Sequence, residues 1–283
     1  MTSVSQTLRS AARRVPDADA RLLLAHALGV PASRLLTLGE VDAGAEGRFQ
    51  DLLGRREAGI PLQYLTGRAP FRHVEVAVGP GVFIPRPETE VMTGWALERL
   101  AEFASERLGE SLVVVELCAG SGAISLAIAD EFPAATQYAV ELDEIAAGFA
   151  RRNLAGAGVA LLEGDMADAF RELDGTVDLV IANPPYIPLE AYEGVPTEVR
   201  EHEPELALFS GQDGLDAMRI VADVAARLLR PGGRVCAEHA EVQHASAPQV
   251  FVDHGGFDQV RDRLDLTGRP RFVTARRGSP LGR

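Results

Sequence analysis

The chain has 283 residues, 46% hydrophobic and 24% charged, which are globular proportions with room for one large domain or a large and a small one. No apolar run approaches the roughly 20 residues that cross a bilayer, the opening "MTSVSQTLRSAARRV" has no apolar stretch before a cleavage site, and Cys118 and Cys236 stand in no metal or redox spacing, so a reduced, cytoplasmic protein is expected. Net charge is −13 and every one of the 28 basic residues is arginine; this acidity makes nucleic acid a poor partner, and without a spanning run no membrane partner is expected.

Residues 3–57 carry apolar positions at helical spacing. "DADARLLLAHALGV" is opened by Asp17 as an N-cap and closed by Gly29, and "AGAEGRFQDLLGRREAGI" gives a further amphipathic helix. From Phe71 the period changes to two, and "FRHVEVAVGPGVFIP" predicts a hairpin turning at Gly79-Pro80-Gly81. "RPETEVMTGWALERLAEFASERLG" returns to helix. The change of pattern sets a helical domain over 1–76, a hairpin-like linker over 77–92 and a larger domain over 93–283.

From residue 112 apolar strands alternate with amphipathic helices. "SLVVVELC" precedes "SGAISLAIADEF", "TQYAVEL" precedes "DEIAAGFARRNLAGAG", and "VALLEGD" precedes a short helix. "TVDLVIAN" is followed by a long loop, then by "DGLDAMRIVADVAARLLRPGG" and "RVCAEHA". This order predicts an α/β fold with a parallel sheet covered on both faces. The tail "FDQVRDRLDLTGRPRFVTARR" reads as two strands joined by "LTGRP", an antiparallel edge pair.

Three strand ends carry chemistry. In "VVVELCAGSGAISLAIA" the strand gives way to a helix through a turn containing Gly120 and Gly122, where backbone can approach a ligand. The dinucleotide fingerprint is not matched, because Cys118 occupies its first glycine position. Glu141, about 20 residues past those glycines, can accept both hydroxyls of a ribose. Asp143 competes with it, or caps the next helix. Asp165, beside Met166, closes the third strand, where it could meet an adenine amino group.

The fourth end is "DLVIANPPYIP". Two prolines cannot continue a sheet ladder, since neither has an N–H to donate. Asn183 and Pro184 present a side-chain amide oxygen and a backbone carbonyl, two acceptors that suit an –NH2 group held by both hydrogens. Tyr186 adds a ring face for a planar amide or for a sulfonium. Histidines 26, 73, 202, 239, 244 and 254 fall in no ligand spacing, and no G-x-S-x-G elbow occurs.

On "PLQYLTGRAPF", "FIPRPETE", "ELCAGSGAISLAIA", "NPPYIP", "EHEPELALFSGQDGL", "LLRPGGRVCAEHAEVQ" and "DLTGRPRFVTAR", the chain resembles the release-factor glutamine methyltransferases (PrmC/HemK type), a family of class I S-adenosylmethionine-dependent enzymes. The resemblance covers nearly the whole chain. It implies a small helical domain, a hairpin linker and a seven-stranded Rossmann-like sheet with a reversed last strand. It further implies that Cys118, Ala119, Gly120, Ser121 and Gly122 wrap the cofactor, that Glu141 holds its ribose, and that Asp165 and Met166 flank its adenine. Asn183 would touch cofactor and substrate, and Asn183, Pro184, Pro185 and Tyr186 would receive a glutamine amide. No metal is implied. Departures are Cys118 and Ala119 for the commoner Gly and Thr, Met166 for a frequent aromatic, and "EHA" at 238–240 for Glu-Ile-Gly.

The substrate implied is the glutamine of the Gly-Gly-Gln motif in class 1 peptide-chain release factors, with residues 1–76 recognising the factor's body. A ribosomal-protein glutamine methyltransferase shares the same corner. A DNA adenine-N6 methyltransferase would use it for another –NH2, but residues 76–283 carry 18 Arg against 33 Asp and Glu (−15), while 1–75 carry 10 against 8 (+2).

Overall fold

A computed structural model describes residues 2–278, and the chain divides into two compact units. The first runs to Arg68 and also takes in Val78–Pro80 and Pro196–His202.

Capping sets the helices of this unit. Ser3 caps α1 (Val4–Ala11) by accepting the Gln6 amide at 3.3 Å, and Asp42 caps α3 (Ala43–Glu57) by accepting the Ala45 amide at 2.9 Å. Between them α2 (Asp17–Leu28) follows Pro16, so Asp17 is the first helical residue rather than the cap. Its carboxylate takes Arg21 one turn on, at 2.7 Å. Gly29 ends α2 in the left-handed conformation, φ +66°, as its place in the sequence suggests. Short strands β1 (Thr2–Ser3) and β2 (Glu40–Val41) pair antiparallel, and α4 (Leu62–Thr66) completes the bundle. Leu23, Leu24, Leu35, Phe49 and Leu53 fill its core, each worth about 1.5–3 kcal/mol of burial. Arg56 bonds Asp19 and Glu198, both at 2.7 Å, tying α8 (Thr197–His202) into the unit.

In the second unit, β3 (Arg68–Phe71) and β4 (Val74–Ala77) form a hairpin that turns at Arg72-His73. The sequence points to Gly79-Pro80-Gly81, because Gly and Pro are the strongest punctuation. The actual turn contains neither. Arg72 takes φ +50° and is held by both oxygens of Glu131, at 2.5 and 2.7 Å. The hairpin therefore precedes 77–92 except for its last residue, Ala77, and the first continuous stretch of the helical unit ends at Arg68.

After α5 (Pro87–Glu106) the expected alternation appears: β5 (Val113–Leu117), α6 (Ala123–Glu131), β6 (Thr136–Glu141), α7 (Glu144–Asn153), β7 (Val159–Glu163) and β8 (Val177–Ala182). A short 3-10 turn at Arg171–Leu173 stands where the short helix is expected. Then come α9 (Asp216–Leu228), β9 (Leu229–Glu238), α10 (Ser246–His254), β10 (Phe257–Leu264) and β11 (Pro270–Arg277). The sheet order is β10-β11-β9-β8-β5-β6-β7, parallel except for β11, which runs against both neighbours. Of the antiparallel tail pair only β10 is an edge strand.

Successive strands step outward from β5 in opposite directions, β6 and β7 one way, β8 and β9 the other. That reversal leaves a crevice at the carboxyl ends of β5 and β8, where open α/β sheets bind ligands. The register keeps those ends level: Leu117 pairs with Val140 and with Ala182, and Ala182 with Ala237. All six residues of β8 are buried.

At the opposite end of β8, Asp178 is 1% exposed and accepts from Arg107, from Arg230 Nε at 2.5 Å and from the Val113 amide at 2.8 Å. One carboxylate thus fixes the start of β8 against β5 and β9. Asp178→Asn leaves Arg230 without its carboxylate and Arg107 with Glu110 alone, and should lower stability by about 2–4 kcal/mol, short of the full buried-pair penalty because both arginines reach solvent. Urea unfolding measures it; an unchanged midpoint would remove Asp178 from this role.

Candidate active site

The turn after β5 takes left-handed backbone at three alternate residues, Cys118 (φ +58°), Gly120 (φ +55°) and Gly122 (φ +78°). Glycine adopts this freely, whereas an L side chain costs roughly 1–2 kcal/mol. This is the physical reason why Cys118 stands out as a departure. At Gly122 a Cβ would also lie 3.0 Å from the Leu154 side chain.

Glu141 closes β6 and reaches this turn. One oxygen accepts the Gly120 amide at 2.6 Å and the other the Asp143 amide at 2.9 Å, which leaves each a further lone pair. Asp143 takes the other role open to it and caps α7 through the Ala146 amide at 2.9 Å. Met166 meets the turn sulfur to sulfur, 3.5 Å from Cys118. Asp165 is exposed, with one oxygen on the Ala167 amide at 2.8 Å. Ala119 and Ser121 are buried, and the Ser121 carbonyl accepts Asn153 Nδ2 at 2.8 Å. The three strand ends are brought to one place.

Beneath them Glu116 is 2% exposed and bonds the Ser125 amide, 2.9 Å, and the Ser125 hydroxyl. Burial pushes its carboxyl up to about 8, with the charge of Glu141 adding to the effect. It ties the end of β5 to the first turn of α6.

The corner after β8 has trans prolyl bonds, a half-buried Asn183 and a buried Pro184. Asn183 Nδ2 donates to Thr89 Oγ1 at 3.4 Å, and that hydroxyl donates to Glu238 Oε2 at 2.6 Å. The Tyr186 hydroxyl donates to Glu238 Oε1 at 3.0 Å. Asn183 Oδ1 and the Pro184 carbonyl take no hydrogen bond from any described residue. Behind the corner, Gln243 Nε2 donates to the carbonyls of Tyr186 (2.9 Å), Asp213 (3.2 Å) and Gly214 (3.3 Å). Only glycine fits at 214, where φ is +75° and a Cβ would lie 2.3 Å from the Tyr186 oxygen.

Burial drives Glu238 up, and burial beside that carboxylate drives the Tyr186 phenol well up, so at neutral pH the phenol keeps its proton and donates it. Sequence reasoning left Thr89, Glu203 and Glu238 without roles, although each lies in a stretch that carries the resemblance. Thr89 sits in "PRPETE" in the first turn of α5, and Glu203 takes Arg86 and the Ile84 amide, the latter at 3.3 Å. Their contacts are between segments far apart in the chain.

A seven-stranded sheet in this order, with a reversed last strand and a glycine turn at the switch point, is the class I methyltransferase fold. It overlays the catalytic domain of hMettl16, solved with a MAT2A 3'UTR hairpin, at a TM-score of 0.57 and 12% identity over 81% of this chain and 82% of that one, a likeness of fold alone. Residues 1–67 match the PrmC N-terminal domain and 80–194 the methyltransferase small domain. The chain is 47% identical to a protein of Streptomyces coelicolor named release factor glutamine methyltransferase, over 99% of this chain and 98% of that protein. It is 42% identical to the 4-amino-L-phenylalanine/4-methylamino-L-phenylalanine methyltransferase of Streptomyces pristinaespiralis, over 87% of this chain and 83% of that protein. This chain belongs to the release factor glutamine methyltransferase family.

Glu116 gives the site a pH signature. A carboxyl raised to about 8 favours the folded state fully below its ordinary value near 4.5, and that contribution is lost as pH rises to 8. Glu116→Gln has no such titration. The melting temperature of the wild type should therefore fall relative to the variant between about pH 4.5 and 8; parallel curves would contradict this.

Proposed function

We propose that this protein transfers a methyl group from S-adenosylmethionine to the side-chain amide nitrogen of the glutamine in the Gly-Gly-Gln motif of class 1 peptide-chain release factors. The observation that carries the reading is the pair of free acceptors, Asn183 Oδ1 and the Pro184 carbonyl, at the switch-point crevice. The near-full-length relatives that bear the release factor name select glutamine among the –NH2 groups such a pair could hold.

The residues around the glycine turn suit the cofactor. Glu141 keeps an unused lone pair on each oxygen, the match for a vicinal diol. The turn's backbone curls at Cys118, Gly120 and Gly122, and Met166 with Cys118 offers a soft, polarizable wall. When bound, S-adenosylmethionine supplies a methyl group already activated on a sulfonium.

An amide nitrogen is a feeble nucleophile, because its lone pair is delocalised into the carbonyl. Asn183 Oδ1 and the Pro184 carbonyl accept its two hydrogens and hold it in line with the methyl. With the cofactor bound, the sulfur–methyl bond would break as the nitrogen–methyl bond formed, leaving neutral S-adenosylhomocysteine, and the same two oxygens would stabilise the positive charge passed to nitrogen. The Tyr186 ring backs the planar amide. The methylated nitrogen is strongly acidic and gives one proton to water, so the chemistry needs no dedicated base. Residues 1–76, at near-neutral charge beside the acidic remainder, recognise the body of the factor.

The test offers purified protein and labelled cofactor to an intact release factor, a Gly-Gly-Gln peptide, a ribosomal-protein extract and 4-amino-L-phenylalanine. Labelling of the glutamine in the intact factor, with a lower KM than the peptide, is the expected result; labelling of another substrate alone overturns the reading. Asn183→Ala should cut the rate about 10²–10³-fold with a much smaller change in cofactor affinity, and near-normal turnover would remove Asn183 from catalysis. Glu141→Ala should do the opposite, weakening cofactor binding in calorimetry while leaving the saturated rate close to normal, since ribose contacts are equal in ground and transition states. Unaltered affinity would move the ribose elsewhere.

A further inference from the structure

We propose that Glu238 is a positioning residue for methyl transfer, acting through Thr89 on Asn183 and directly on Tyr186, so that one buried carboxylate sets the polarity of the whole substrate corner. The inference rests on the reading of Asn183 as the amide acceptor.

The argument is one of donors and acceptors. A side-chain amide has two chemically opposite ends of nearly equal size, so packing alone cannot choose which faces the substrate. Substrate –NH2 needs an oxygen there. Glu238, 1% exposed and without an arginine or histidine within 4 Å among the described residues, accepts only in its ionised form, the form in which both the Thr89 and the Tyr186 hydroxyls donate to it. It takes the single proton of the Thr89 hydroxyl, which leaves that oxygen with lone pairs alone for Asn183. Only the nitrogen end of Asn183 can satisfy them, so Oδ1 is turned toward the crevice. Remove the acceptor, and Thr89 can donate to Asn183 instead; the amide then turns over and offers the substrate hydrogens where it needs lone pairs.

The second oxygen of Glu238 takes the Tyr186 hydroxyl at 3.0 Å, so both ends of Asn183-Pro184-Pro185-Tyr186 are held by the same carboxylate. Thr89 is 3% exposed and its hydroxyl has no other described proton acceptor, so the relay is a closed chain. A group kept merely to support the fold would not require this sense of donation.

The experiment is a double-mutant cycle on Gly-Gly-Gln peptide methylation, with binding of S-adenosylhomocysteine measured on the same samples. Thr89→Val, nearly isosteric, should lower kcat about 10–100-fold with KM and product affinity within about twofold; Thr89→Ser should recover most of the loss. Glu238→Gln should lower kcat likewise. In an N183A background Thr89→Val should cost nothing further, because it acts through that amide, while Glu238→Gln should keep only the part of its loss that runs through Tyr186. The side-chain amide resonance of Asn183, identified by its absence in N183A, should move in T89V, which reads the orientation without any substrate. Wild-type turnover in T89V and E238Q, a T89V loss that multiplies with that of N183A, or an unmoved Asn183 resonance would each overturn the proposal. Failure of the wild-type protein to label the peptide while the resonance moves would count against the functional reading and leave the relay standing.

Discussion

Everything at the candidate site depends on the parallel register around β5. Because Leu117 lies beside both Val140 and Ala182, and Ala182 beside Ala237, four strands end at one level. A slip of one residue would turn every side chain to the other face. The residues that follow each end, Cys118, Glu141, Asn183 and Glu238, could not then converge. Asp178 guards this alignment from the far end of β8, bonding segments beside β5 and β9 at once.

The two ends of the sheet treat buried charge differently. At the amino-terminal end Asp178 is neutralised by two arginines. At the carboxyl end Glu116, Glu141 and Glu238 are buried with no arginine or histidine within 4 Å among the described residues, in a chain that has 28 arginines to offer. Each is held by N–H and O–H donors instead, and burial raises all three. Glu116, raised to about 8, keeps its proton at neutral pH, so the negative field at this end belongs to those of the three that are ionised, with no arginine beside them to cancel it. A sulfonium cation is the guest such a field favours. The cost in stability is the condition for the electrostatics of the site.

The architecture was legible because it rests on local signals. Alternating apolar strands and amphipathic helices, the glycine turn and Gly29 each show in a few consecutive residues, and the strand ends could be ranked by what closes them. The hairpin turn at Arg72-His73 was not, since a non-glycine residue at φ +50° has no sequence mark and is held by Glu131, almost sixty residues on. Asp17 looks like a cap because Asp is a common capping residue, but Pro16 holds the cap position before it and Asp17 is the first helical residue. Glu141 and Asp143 could only be listed together from sequence; geometry adds that Asp143 caps α7 and that Glu141 reaches the glycine turn. Thr89 and Glu238 were invisible for a different reason: a threonine or glutamate says nothing until a partner 149 residues away is placed beside it.

The long segment between Tyr186 and Gly214 closes on itself at its base. Ile187 bridges Phe209 and exchanges hydrogen bonds with Leu208 and Ser210, Leu189 bonds Gly211, and Gln243 grips both flanks. A loop tied at its neck transmits little of what happens at its tip, and adding residues to it costs only the slow logarithm of its length. Insertions in the stretches of the loop between its anchors Glu198 and Glu203 and its neck can therefore accumulate while the corner stays where it is. Length can change there at little cost to the geometry of Asn183 and Tyr186, because the neck and not the tip sets the position of the corner.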